Sequence, residues 1–238
     1  MAAINVIRQK HAVHIISDGA FCDTDGIVCE IGPNAFALPH LPAALAIRGA
    51  SHFMPFLAHR LSRECRSFDD VLLKIVRTAR EVHLSFPMAY GNLGFGSIEP
   101  DFDLVAVGWS NSRAMPAGYL VSSHDRVVAR GLTAGAWQLI ELPEVMIAPP
   151  IAENQITGTG WNVPYSADSF RPEIDGLALL KAQRLSRRAL EARFGARGYV
   201  YVVGGFVQVT SVSSHGVNSE ILHRWPDELG RRIEPQAS

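Results

Sequence analysis

The order of segments along this chain predicts an α+β fold, a four-layer αββα sandwich in which two stacked antiparallel sheets are flanked by helices. Three observations carry that expectation. Two strand-like segments fill the first 18 residues, a region of a chain that is normally loose. A pair of amphipathic helices follows within residues 51–84. A meander of apolar strand-like runs then precedes a third helix and a final pair of strands.

The first strands read as Ile4–Ile7 and Ala12–Ile16, joined by a polar turn at Arg8–His11 and closed by Asp18. Ile27–Glu30 reads as a third short strand after the turn residues Asp23, Thr24, Asp25 and Gly26. Pro33–Pro42 holds three prolines and reads as irregular. Ala43–Ile47 is small and apolar, a buried strand that ends at Gly49. Ser51 is placed to cap a helix carrying Phe53, Phe56, Leu57 and Leu61, with Pro55 in its first turn. The next helix has the clearest local signal. Ser67 and Asp70 have the spacing of a capping box. Phe68, Val71, Leu72, Ile75, Val76, Ala79 and Val82 then recur at helical spacing, and the helix is expected to stop before Pro87.

Phe102–Trp109 and Ala117–Ser122 read as strands around a turn at Asn111–Pro116, with Arg126–Arg130 and Ala136–Leu142 continuing the sheet. Glu144–Gln155, with Pro149 and Pro150, reads as a loop. Asp175 is expected to open a third helix, with Leu177, Leu180, Leu185 and Leu190 on its apolar side and Gly195 at its end. Tyr199–Val203 and Phe206–Val212 are strands around Gly204 and Gly205. A turn at Ser213–Gly216 leads to Val217–Leu222, and the tail from Trp225 is polar.

The composition excludes several classes. The chain is 47% hydrophobic and 19% charged, ordinary values for a globular protein, and its net charge is −1. No excess of positive charge argues for a nucleic-acid partner. The basic residues of Arg184–Arg197 fall on one expected helix and read as its solvated face. No apolar run reaches the roughly 18–20 residues of a membrane span, so no membrane partner is expected. The first residues lack the basic start and apolar core of a secretory signal. Cys22, Cys29 and Cys65 are odd in number and scattered, which argues against a disulfide framework or a zinc site and fits a cytoplasmic protein.

Four local patterns resemble the proteasome-like N-terminal nucleophile (Ntn) hydrolases. Ala12 to Asp18 looks like that family's second strand, which ends in an acid. Ala46-Ile47-Arg48-Gly49-Ala50 looks like the strand and glycine that open its first helix. Gly158-Thr159-Gly160 resembles its Gly-Ser-Gly. Val207–Val212, followed by Ser214-His215-Gly216-Val217, looks like its last hairpin. The resemblance spans most of the chain and implies a single domain over residues 1–238.

An Ntn hydrolase attacks with the side chain of its first mature residue, a Thr, Ser or Cys, and a nearby amine takes the proton. A lysine favours the anionic form and an acid holds that lysine. A glycine N–H receives the oxyanion. By the family's spacing from Asp18, the nucleophile position is Ala2, and the lysine position falls near Asn34, within one residue when counted from Asp18 or back from Gly49. Asp18, Gly49 and Thr159 therefore match the pattern, while Ala2 and Asn34 lack the chemistry. Asp18 before Gly19 is also an ordinary turn acid, and Gly49 and the Gly158–Gly160 loop have purely conformational readings. His14 and His40, considered as bases, read as packed core histidines. Cys22 and Cys29 stand at no position suited to a nucleophile.

The resemblance implies a non-catalytic, self-assembling relative of the ring-forming proteasome subunits, with no cofactor and with copies of itself as partner. Two alternatives stay open: a peptide or amide hydrolase with a non-standard nucleophile, and a ligand- or protein-binding module on the same scaffold. Self-association has one further motive in the sequence. The continuous apolar stripe of Ser67–Leu84 is expected to exceed what one sheet face covers.

Overall fold

The computed structural model describes residues 2–23, 25–90, 101–129, 131–151, 166–189 and 199–235, with backbone alone at 86–90 and 188–189. The strands run in this order: β1 Ile4–Arg8, β2 Ala12–Asp18, β3 Ala20–Cys22, β4 Val28–Ile31, β5 Ala35–Leu38 and β6 Ala43–Gly49. Helices α1, Met54–Glu64, and α2, Phe68–Tyr90, come next. Then follow β7 Phe102–Ser110, β8 Met115–Ser122, β9 Arg126–Ala129, β10 Leu132–Ala134, β11 Leu139–Glu141 and β12 Val145–Ala148. Helix α3, Pro172–Arg184, precedes β13 Arg188–Ala189, β14 Tyr199–Val200, β15 Phe206–Ser213 and β16 Gly216–Arg224. The fold is α+β and sheet-rich, with few helices.

Two five-stranded sheets dominate. One has the order β12-β1-β2-β15-β16 and the other β11-β8-β7-β6-β5, and all their pairings are antiparallel. The period of two along each strand decides what its faces touch. In β7, Leu104 and Ala106 join a cluster with Phe53, Leu57, Phe68 and Ile75 of the α1–α2 region, while Val105 and Val107 join another with Ile4, Val6 and Ile15. In β2, Val13 and Ile15 belong to that second cluster, and Ile16 packs with Leu180 of α3. Both faces of these strands are therefore buried, which explains their unbroken apolar runs. Gly108 of β7 lets α2 come close: a Cβ there would stand 2.2 Å from the Phe68 ring.

Several expectations need correction. Pro33–Pro42 contains β5, an edge strand paired with β6, because its prolines fall outside the paired residues. Residues 145–148 of the expected loop form β12, which pairs with β1. Arg126–Ala129 leaves the main sheet and pairs with β10 in a ribbon of its own. Helix α2 runs through position 87 to Tyr90 rather than stopping before it. Its cap follows the sequence: the Asp70 N–H donates to Ser67 Oγ at 3.1 Å, and the Arg66 N–H donates to the Asp70 carboxylate at 2.9 Å. Ser51 starts a 3₁₀ turn, Ser51–Phe53, instead of capping α1.

Helix α3 opens at Pro172, since the Asp175 carboxylate reaches back to the Arg171 N–H at 2.7 Å. It ends at Arg184, whose side chain turns inward to Asp227 at 2.7 Å, and Leu185 is left 55% exposed. Leu190 and Gly195 lie outside the described residues. The apolar stripe of α2 is covered within the chain: Phe68, Val71, Ile75 and Ala79 are fully buried against the second sheet. The exposed leucines of α2 are Leu73 and Leu84 instead.

Candidate functional site

Asp18 ends β2 and is fully buried. Backbone N–H groups from two other segments and one side chain converge on it. The Ala3 N–H donates to Oδ1 at 2.8 Å, and the Gly204 N–H donates to Oδ2 at 2.9 Å. The Asn34 amide donates to the Asp18 carbonyl at 2.7 Å and to Oδ1 at 3.4 Å. Burial pushes the Asp18 carboxyl up to about 7, against the hydrogen bonds from Gly204, Ala3 and Ala20. No lysine or arginine pairs with it among the described residues.

Each partner has a structural reason to be there. Ile4 pairs with Ser17 across β1 and β2, so residues 2 and 3 continue alongside Asp18. Ala2 is buried at 3% exposure, on the side of a chain neighbour already bonded to the carboxylate. Asn34 precedes β5, and its carbonyl accepts the Ile47 N–H at 3.2 Å. That bond sets the end of β6, and hence Gly49, beside the same loop. Gly49 has φ +100°, and a Cβ on it would stand 2.3 Å from the Asp101 carbonyl oxygen. Its glycine is thus required by backbone conformation and close approach. Asn34 Oδ1 is buried without a hydrogen-bond partner among the described residues.

The structure therefore brings Ala2, Asp18 and Asn34 together and puts Gly49 at the neighbouring strand end. Thr159, with Gly158 and Gly160, lies outside the described residues. His14 is a core residue, as expected: its Nδ1 meets Ser211 Oγ and its Nε2 meets Gln9 Oε1, both at 2.8 Å. Burial lowers its pKa to about 4, with Glu173 the opposing influence. His40 is exposed in the turn before β6, not packed in the core. Cys22 and Cys29 both sit on the β3–β4 ribbon, and burial raises the Cys22 thiol to about 11, which leaves it a poor nucleophile at neutral pH. Lys10 is exposed in the β1–β2 turn.

Sequence reasoning missed the loop Val203–Gly205 as part of the site. Gly204 not only donates to Asp18 but also accepts the Gly19 N–H at 3.0 Å. The loop is fixed from behind by a buried ion pair. Arg184 donates to both Asp227 oxygens, at 2.7 and 2.8 Å, and to the Val203 carbonyl at 3.0 Å, while the Gly205 N–H donates to Asp227 at 2.7 Å. The doubled glycine between two strands was the available signal for this close approach. A cleft of about 760 Å³ opens beyond that pair, between α3 and the C-terminal segment.

Arg48 and Asp103 were missed as well. They pair at 2.8 Å between β6 and β7, both buried, beside Gly49. Among the described residues no cluster of three or more His, Cys, Asp or Glu side chains is placed to hold a metal ion. No described helix is long and apolar enough to cross a membrane.

What this arrangement can do is limited by its donors and acceptors. A carboxylate that receives backbone N–H groups and a neutral amide holds a loop cluster together. A nucleophile would need a hydroxyl or thiol, and Ala2 offers none. No protein-family model and no curated protein matched the chain.

Proposed function

We propose that the chain carries the four-layer αββα sandwich of the Ntn hydrolases and is a non-catalytic, self-assembling relative of proteasome subunits. The alanine at residue 2 carries this reading. It stands beside the buried Asp18, with the neutral Asn34 where the resemblance calls for a lysine. Support for the layering comes from the three apolar clusters: one between the two large sheets, one under α1 and α2, and one under α3. The free thiols Cys22, Cys29 and Cys65 fit a reducing cytoplasm. Self-assembly rests on the resemblance, because the α2 stripe that suggested it in the sequence is covered within the chain.

The test has two arms. Purified protein incubated with fluorogenic peptide amides should release no fluorophore above buffer, and measurable turnover would establish the hydrolase instead. Light scattering at micromolar concentration should give a mass above 26.0 kDa, and a monomer that persists on concentration would refute assembly. Ala2→Thr with Asn34→Lys would return the missing hydroxyl and cation to the same corner.

A further inference from the structure

The two large sheets end in four edge strands, and three of these are short. β5, β11 and β12 have four, three and four residues, whereas β16 runs for nine. In its sheet β16 pairs on one side, with β15. Proteins blunt such edges with lysine, proline, an early bulge or a covering segment, because unpaired N–H and C=O groups recruit another strand. Residues 216–221 contain no lysine or proline, and Asn218, Ser219, Glu220 and Ile221 are exposed. The ladder with β15 is regular up to Ile221, and the extra residue of the bulge is Leu222, beyond that stretch.

The stretch is complementary to itself. Val217, Ser219 and Ile221 alternate with Asn218 and Glu220, so the two sets take opposite faces of the sheet. Ser219 Oγ is held inward, accepting from the Gln208 amide at 2.8 Å and meeting Thr210 Oγ1 at 2.9 Å. Ile221 is 43% exposed, an apolar side chain at the edge with room for a neighbour. A two-fold antiparallel pairing centred on Ser219 sets Val217 against the partner subunit's Ile221, and Asn218 against the partner subunit's Glu220. Each of these pairs occurs twice. One is apolar on apolar, and the other gives a carboxylate an amide donor. A register centred on Glu220 would set two carboxylates directly opposite, which is destabilising. One centred on Asn218 would leave Ile221 facing His215, a residue of the turn.

We propose that β16 pairs with β16 of a second copy of this chain, antiparallel and centred on Ser219, joining the two copies' five-stranded sheets across a two-fold axis. The proposal names the surface for the self-association put forward above and rests on that reading for its partner. It draws nothing from the Ala2 corner and holds whether or not that corner is catalytic.

Light scattering at micromolar concentration should give about twice the 26.0 kDa of one chain. Asn218→Glu sets a carboxylate against the partner subunit's Glu220 at both symmetric pairs and should weaken the dimer about tenfold. Adding Glu220→Lys should restore it, and since both side chains are exposed the far-UV spectrum should be the same in all three proteins. Hydrogen exchange at residues 217–221 should slow as wild-type concentration rises, and should stay fast in Asn218→Glu at the same concentrations. An assembly indifferent to Asn218→Glu, a double variant that fails to recover it, or exchange at 217–221 independent of concentration would overturn this interface and leave self-association standing. A chain that stays monomeric would overturn both.

Discussion

Asp18 and His14 sit four residues apart on β2, and burial drives their titrations in opposite directions. That opposition makes a testable prediction about stability against pH. For Asp18 the sign is negative. In the unfolded chain its carboxyl loses its proton near 3.8, while in the folded chain it keeps it up to about 7. Between those values the native state binds one more proton than the unfolded state. Stability from this group is therefore largest below 3.8 and is lost as pH rises, by about 4 kcal/mol at 1.36 kcal/mol per pH unit. For His14 the sign is positive. The unfolded imidazole is protonated below 6.5, whereas the buried ring stays neutral down to about 4. The unfolded state binds the extra proton, so stability rises by about 3 kcal/mol as pH climbs from 4 to 6.5. In the wild-type chain the two slopes nearly cancel across this window. Urea unfolding at half-unit intervals from pH 4 to 7 separates them. Asp18→Asn should leave a stability curve that rises with pH and His14→Gln one that falls, and each variant's difference from wild type, in which all shared groups drop out, reads the slope of the group that was removed. If the Asp18→Asn difference curve is flat, or slopes the other way, the hydrogen bonds from Ala3 and Gly204 outweigh burial and the reasoning about Asp18 fails.

Three other perturbations follow from the packing. Gly49→Ala forces a Cβ into positive φ and against the Asp101 carbonyl, and should lower stability by about 3 kcal/mol in denaturant melts. Arg184→Met leaves Asp227 buried and uncompensated and should cost about 3–5 kcal/mol, with Arg184→Met/Asp227→Leu costing less than the single change. On α2, Ile75→Ala removes a fully buried side chain and should cost about 2–5 kcal/mol, whereas Leu73→Ala, at a position 84% exposed, should stay within about 0.5 kcal/mol.

The elements with strong local chemistry were legible in the sequence. The Ser67–Asp70 spacing set the start of α2, and the apolar runs of β2, β6 and β7 marked strands, while their burial on both faces came from the structure. The grouping of Ala2, Asp18 and Asn34 was an expectation from the resemblance to the Ntn hydrolases, whose spacing was carried onto this chain, and not from any local signal of these residues. The tertiary structure decided the rest. Strand β5 lies between prolines and β12 runs directly into Pro149 and Pro150, and their pairing is seen only in the ladders with β6 and β1. The end of α3 is set by Arg184 reaching Asp227, 43 residues away, and not by the leucine pattern that would have carried the helix on. The bond from Gly204 to Asp18 spans 186 residues, and the amide of Gln208 is oriented by Ala35, 173 residues back. Period and capping are local properties that a sequence writes directly. A buried polar group takes its meaning from partners that only the folded chain brings within hydrogen-bond reach.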